Sequence, residues 1–207
     1  MLIKILIIEN EALLRTGIRT VLLAESDFEI IGEAETSEEG LRLFQERKPD
    51  VVLMSLRLKT TCAIDDVQTF RNFSPAAKII ILASHAGDGE INKALKKGAL
   101  GYVLKDIAPE ELVKAIRIVA GGKKYIPSDV AEVLTEHLGM EELTPTEQIV
   151  LRMLVGAMSN KEISFALDIS ENTVKTHIKN IFDKLGVSDR TAATTTAIRR
   201  GLVRMDV

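Results

Sequence analysis

The sequence predicts an α/β domain, a doubly wound five-stranded parallel sheet, followed by an all-α four-helix domain. Three observations carry that expectation. Short aliphatic runs recur five times in the first half, and strands that are apolar at successive positions need cover on both faces. A segment of helical periodicity follows each run, which is the alternation that builds a parallel sheet sandwiched by helices. Past residue 140 the strand signal vanishes, and helix starts marked by capping residues replace it.

In chain order the strands are expected at Ile3–Ile8, Glu29–Gly32, Val51–Met54, Ile79–Leu82 and Gly101–Leu104. Helical patterns lie between and after them, at about 11–24, 37–47, 64–73, 87–97 and 108–120. Ligands of such sheets bind beyond the carboxyl ends of the strands, which directs attention to Glu9, Asn10, Ser55, Ala83, Ser84 and Lys105. Gly121-Gly122 closes the last helix, as glycine commonly does, so the first domain is placed at 1–122. Residues 123–140 read as a partly helical linker, with Pro127 and an amphipathic piece of Val130, Val133, Leu134 and Leu138.

The second domain is placed at 141–207. Thr144-Pro145-Thr146-Glu147 offers a capping threonine, a proline at the first helical position and a glutamate three residues after the cap, and Ser159-Asn160-Lys161-Glu162 repeats the spacing. Asp168-Ile169-Ser170 breaks the chain before a helix over Glu171–Leu185 that Gly186 ends, and a last helix spans about Asp189–Arg200 before Gly201. A tight turn between the second and third of these helices describes a helix-turn-helix unit.

Composition narrows the function. No apolar run approaches the roughly 20 residues of a membrane span, and Met1-Leu2-Ile3-Lys4 lacks the marks of a signal peptide, so a cytoplasmic location with no membrane partner is expected. The single cysteine, Cys62, excludes an internal disulfide, and His85, His137 and His177 show no ligand spacing, so no metal and no cofactor is expected. Lys and Arg number 16 against 18 Asp and Glu over 1–122, 2 against 3 over 123–140, and 9 against 9 over 141–207. Any nucleic-acid surface must therefore come from local arrangement of charge.

At 100° per residue, 171–185 gathers Val174, Ile178, Ile181, Phe182 and Leu185 on one side and Asn172, Lys175, Thr176, Lys179, Asn180 and Asp183 on the other. Two lysines among short polar side chains suit a helix lying in a major groove, since cations meet phosphates or guanine edges and small polar groups read donors and acceptors. An isolated helix with such a face is more often simply solvated. The turn and the two capped helices before it reverse that preference.

The stretch "LTPTEQIVLRMLVGAMSNKEISFALDISENTVKTHIKNIFDKLGVSDRTAA" resembles the LuxR-type helix-turn-helix of NarL/FixJ response regulators. The resemblance implies that Lys175, Thr176 and Lys179 face base edges, that Thr173 and Asn180 sit near phosphates, and that the last helix pairs two subunits on double-stranded DNA. On the wheel Thr173 falls at the margin of the polar face, and His177 at the edge of the apolar one, where it packs or faces phosphate.

Residues 1–122 resemble the receiver domain of the same family, through "ILIIEN", "PDVVLM" and "GALGYVLKD". A receiver accepts a phosphoryl group on an aspartate ending the third strand, beside Mg²⁺ held by that aspartate and an acidic pair, with a Thr or Ser and a Lys on the phosphoryl oxygens. Phosphoryl transfer needs those types: a carboxylate nucleophile, a hard cation on oxygen ligands and donors to neutralise charge. Here the pattern is degenerate. Ser55 stands at the acceptor position, Glu9 keeps one acid while Asn10 replaces the other, Ala83 takes the Thr/Ser position with Ser84 one residue later, and only Lys105 is retained. The loop after Ser55 is altered too, with Lys59 at a usual proline and Ala63 at a usual glycine.

A serine hydroxyl is a weak nucleophile without a base, so aspartyl phosphorylation at this site is excluded and Lys105 is expected to pair with Glu9. Plainer roles stand beside these: Asn10 as N-cap of the first helix and Ser55 satisfying backbone donors. Tyr102 matches the aromatic that reports activation in the family by moving between inward and outward rotamers, or it is a half-buried strand tyrosine. Cys62 as a redox sensor would need a cationic neighbour such as Lys59; a passive small side chain is the ordinary reading.

The expectation is an atypical, phosphorylation-independent, DNA-binding regulator acting as a homodimer, not an enzyme, with the receiver's last helix or the face around Tyr102 as dimer surface. The alternatives are a ligand- or redox-sensing regulator using the altered pocket, with a small molecule or protein as signal, and a protein-interaction module that titrates a partner regulator.

Overall fold

A computed structural model describes residues 2–58, 62–137 and 140–203. Lys59 of the altered loop and Leu138 of the linker lie outside the described residues. The strands are β1 (Ile3–Ile8), β2 (Phe28–Ala34), β3 (Val51–Ser55), β4 (Ile79–Ala83) and β5 (Gly101–Leu104). Between and after them run α1 (Ala12–Leu23), α2 (Ser37–Arg47), α3 (Ala63–Phe73), α4 (Asp88–Lys97) and α5 (Pro109–Ala120). The chain continues through α6 (Ser128–Glu136), α7 (Pro145–Val155), α8 (Asn160–Leu167), α9 (Glu171–Leu185) and α10 (Arg190–Arg199).

All strand pairs are parallel, in the order β2-β1-β3-β4-β5. Side chains alternate across a strand, so each aliphatic run divides between two cores. Ile5, Ile7, Leu53, Ile80, Leu82 and Val103 pack with Ile18 and Leu22 of α1 and with Leu112, Ile116 and Val119 of α5. The intervening Leu6, Ile8, Val52, Met54, Ile79 and Ile81 are buried equally on the opposite face. There α2 comes so close to Ile8 that a Cβ on Gly40 would meet its side chain at 2.3 Å, and Phe44 meets Phe70 edge-on at 5.2 Å.

Two elements depart from the sequence reading. β2 runs longer at both ends because it is paired along Ile3–Ile8, while its edge position tolerates the Glu29 and Glu33 that shorten the apolar run. Asn10 does not cap α1. That position belongs to Glu11, whose side chain makes no cap bond, and the Asn10 Oδ1 is buried with no hydrogen-bond partner among the described residues.

The chain divides into two compact units, Met1–Ala86 with Ile91–Glu132 and Gly87–Glu90 with Val133–Val207. In the second, α7 to α10 close over Val150, Leu151, Leu154, Ile163, Val174, Ile181 and Ala193. Both expected capping boxes form, Thr144 with Glu147 on α7 and Ser159 with Glu162 on α8. No helix among the described residues is long and apolar enough to cross a membrane.

Candidate nucleic-acid interface and sheet-edge pocket

The α8–α9 corner is built from local backbone chemistry. Asp168 ends α8 in the left-handed region at φ 53, and Ser170 caps α9 by accepting from the Thr173 N–H at 3.1 Å. The Ser170 and Thr173 hydroxyls also share a bond of 2.9 Å. Val174, Ile181 and Leu185 are buried, so the helix can turn only its other face outward. Asn172, Thr173, Lys175, Thr176, Lys179 and Asn180 are all exposed, Thr173 included. Thr176 donates to the Asn172 carbonyl at 3.0 Å, whereas neither Lys175 nor Lys179 forms an ion pair with any described residue.

A lysine on the same helix behaves differently. Lys184 meets Glu147 at 3.0 Å, tying the last turn of α9 to the first of α7. Burial pushes the Glu147 carboxyl up, but bonds from the Thr144 N–H, from Lys184 and from the Thr144 hydroxyl outweigh it and hold the group below the ordinary carboxylate range. Arg190 of α10 donates to the carbonyls of Leu154 and Met158, closing the bundle. These two cations are structural and the other two are unoccupied, a division the helical wheel could not make.

At the sheet edge, one step past the Ile8–Met54 pair brings Glu9 beside Ser55, and the Lys105 N–H donates to the Ala83 carbonyl at 2.7 Å. Lys105 sits between two carboxylates, 3.1 Å from Glu9 Oε2 and 2.6 Å from Glu11 Oε1. Glu9 is fully buried, and its other oxygen accepts from the Glu11 N–H at 2.9 Å. The Glu9 Oε2 contact lies within ion-pair distance but outside hydrogen-bond geometry. The expected Lys105–Glu9 pair is thus present, and Glu11 is a second partner the sequence reading missed.

Ser55 is fully buried and donates to the Arg57 carbonyl at 3.2 Å, an acceptor where backbone donors were expected. Ala83 is buried at the end of β4 and Ser84 is exposed just beyond it. Tyr102 is fully buried rather than half-buried, with its hydroxyl donating to the His85 carbonyl at 3.3 Å, so its ring forms no part of a surface. Cys62 is buried at the start of α3. No group of three or more His, Cys, Asp or Glu among the described residues is arranged to hold a metal ion.

The chain matches two family models, the response regulator receiver domain over 5–117 and the bacterial regulatory proteins of the luxR family over 141–197. It belongs to the NarL/FixJ family of response regulators. This response regulator is 35% identical to the transcriptional regulatory protein MctR of Rhizobium johnstonii, over 97% of this chain and 95% of that protein. It is 31% identical to the nitrate/nitrite response regulator protein NarL of Escherichia coli, over 91% and 92% of the two chains. Among solved structures it is similar to RcsB of Salmonella typhimurium, at 26% identity and a TM-score of 0.74 over 93% of this chain and 98% of the other. It is also similar to a structure of two RcsB dimers bound to two parallel DNAs, at 25% identity and a TM-score of 0.75 over 96% and 99%. The response regulator is accordingly a DNA-binding transcriptional regulator of the LuxR type.

Proposed function

We propose that this response regulator is a dimeric, sequence-specific DNA-binding regulator whose receiver works without aspartyl phosphorylation. One observation carries the second half of that reading: Lys105, the cation that would meet a phosphoryl group, is held by Glu9 and Glu11, while β3 ends on a buried serine turned to the Arg57 carbonyl. The donors at the edge do not fit Mg²⁺. Octahedral Mg²⁺ at a phosphoryl site is bound through one or two carboxylates with water and phosphate oxygens. Here Glu9 is engaged by Lys105, Asn10 is neutral and Ser55 brings no charge.

On DNA, Lys175, Thr176 and Lys179 read base edges, Thr173 and Asn180 stand by phosphates, and α10 pairs the two subunits. Support comes from the exposure of the six α9 residues, from the two unpaired lysines, and from the relative whose dimers were solved on DNA. The test treats the protein with acetyl phosphate or beryllofluoride and Mg²⁺, follows its mass and its dimerisation, and measures promoter binding before and after. Tight binding by untreated protein with no adduct is expected. A phosphoryl adduct, or a donor-dependent gain in affinity, would overturn the reading; failure to footprint any promoter would favour a partner-titrating module instead.

A further inference from the structure

Lys105 lies between two carboxylates that hold it differently. Glu9 is fully buried and stands at ion-pair distance, 3.1 Å, without hydrogen-bond geometry. The one hydrogen bond of the ammonium among the described residues runs to Glu11 Oε1 at 2.6 Å. Glu11 is 60% exposed, so this outer bond is a surface ion pair for which water already competes. Glu11 also starts α1 without a side-chain cap, and the first turn of that helix holds no acid. The positive end of the helix dipole therefore adds to the attraction for an anion at this point.

The same lysine lines a cleft of about 120 Å³ between α1 and α5. Leu14, Ile18 and Val21 come to it from α1, Ile107 and Leu112 from the chain that enters and forms α5, and Lys105 is the one charged side chain among the described residues that line it. The volume is close to the ~150 Å³ at which an apolar cavity takes up benzene. Gly17 borders the cleft, and a Cβ built there meets nothing within 4 Å. Glycine is unfavourable inside a helix, and no neighbour requires it here. The missing side chain leaves the cleft open and does nothing for the fold.

We infer that the cleft binds a small carboxylic acid with an apolar body of about five or six carbons, the body lying between α1 and α5 and the carboxylate replacing Glu11 on Lys105. The inference rests on the reading that the receiver works without aspartyl phosphorylation, which leaves Lys105 no phosphoryl group to hold. Charge selects the head group. Exchanging one carboxylate for another leaves the charge around Lys105 and Glu9 as it was, and Glu11 returns to water. A cation would be set against the lysine, and a neutral amide has no charge with which to displace Glu11. Apolar area selects the body, because acetate reaches the same ammonium but buries almost nothing in the cleft. A ligand this small binds with a dissociation constant on the order of 0.1–1 mM.

The experiment is isothermal titration calorimetry of the full chain with isocaproate, against acetate, isocaproamide and isohexylamine, for the unaltered protein, Glu11→Gln and Gly17→Leu. Isocaproate is expected to bind, and each comparison compound at least about 10-fold more weakly. Glu11→Gln should tighten isocaproate about 3-fold, because the competing carboxylate is gone. Gly17→Leu should weaken it about 10-fold by filling the cleft, with unchanged far-UV circular dichroism, since its Cβ has open space. Equal or tighter binding of the amide or the amine would overturn the carboxylate assignment, and binding untouched by Gly17→Leu would overturn the cleft. A parallel treatment with acetyl phosphate and Mg²⁺ separates this inference from the reading beneath it. No isocaproate binding and no adduct overturns the cleft alone, whereas an adduct overturns the phosphorylation-independent reading and the inference with it.

Discussion

Replacing Lys105 by methionine should destabilise the receiver by about 3 kcal/mol. Unit charges 3.1 Å apart attract by about 5 kcal/mol at an effective dielectric of about 20, part of which offsets the removal of Glu9 from water. The loss on mutation is set less by that attraction than by what stays behind, because Glu9 is fully buried and an uncompensated buried charge costs about 3–5 kcal/mol. The bond from the Glu11 N–H persists in the variant, which places the expectation at the lower end. Glu11 itself is 60% exposed, so Glu11→Gln should cost less than about 1 kcal/mol. Removing both buried charges, Glu9→Gln with Lys105→Met, should return stability to within about 1 kcal/mol of the original.

The assay is urea unfolding of the full chain followed by tyrosine fluorescence. The sequence has two tyrosines, Tyr102 and Tyr125, and no tryptophan, so the signal reports the first unit alone. A cost under 1 kcal/mol for Lys105→Met, or an equal cost for Glu11→Gln, would refute the reasoning. So would a double variant worse than the single one.

Three further outcomes can be measured. Lys175→Ala and Lys179→Ala should each lower the slope of log affinity against log salt by about 0.9 wherever the lysine meets a phosphate, and a lysine reading guanine should instead cost about 1–3 kcal/mol at the preferred site alone; titrations at several salt concentrations on cognate and scrambled DNA separate the two. The folded-state carboxyl of Glu147 is depressed from 4.5, so its contribution to stability is present above that value and is lost as pH falls through the lower folded one. Denaturation followed by far-UV circular dichroism between pH 7 and pH 3 should show the decline in the helical unit, with Glu147→Gln flattening part of it. Burial, followed by the Glu111 carboxylate, pushes the Tyr125 phenol up to about 12, so absorbance titration should find one tyrosine ionising there, and Glu111→Gln should bring it down.

The fold was legible because buried parallel strands and capped helices write themselves locally. Aliphatic runs gave β1, β3 and β4, interrupted only by Lys4 near the start of β1 before β3 closes on Ser55, and Thr144 and Ser159 announced α7 and α8 from three-residue spacings. The outward face of α9 followed from periodicity alone. What stayed hidden depends on approach between distant segments. Lys105 and Glu11 are 94 residues apart, and Lys184 and Glu147 are 37 apart, so no local pattern marks either pair. Asn10 misled because its type suits a cap, whereas the chain stays extended through Glu11 and starts the helix one residue later than a cap at Asn10 would set it. The depth of Tyr102 was missed because β5 lies at the sheet edge in strand order, and only the structure shows its ring closed in.

The two residues that bound α8 carry one more consequence. Ala157 at φ 60 and Asp168 at φ 53 both hold a left-handed conformation without being glycine. Each such corner costs about 1–2 kcal/mol of backbone strain, and glycine would relieve it while widening the unfolded ensemble by the smaller amount of about 0.4–1 kcal/mol. Substituting glycine at either corner should therefore leave the melting temperature where it was or raise it slightly. What would change is the hinge. With a side chain at both ends, few backbone conformers are open to the corners, and the angle at which α9 would meet DNA in the proposed reading is fixed before contact. With glycine, that angle becomes a distribution, and on the proposed reading the cost surfaces as slower, less discriminating capture of DNA by a protein no less stable.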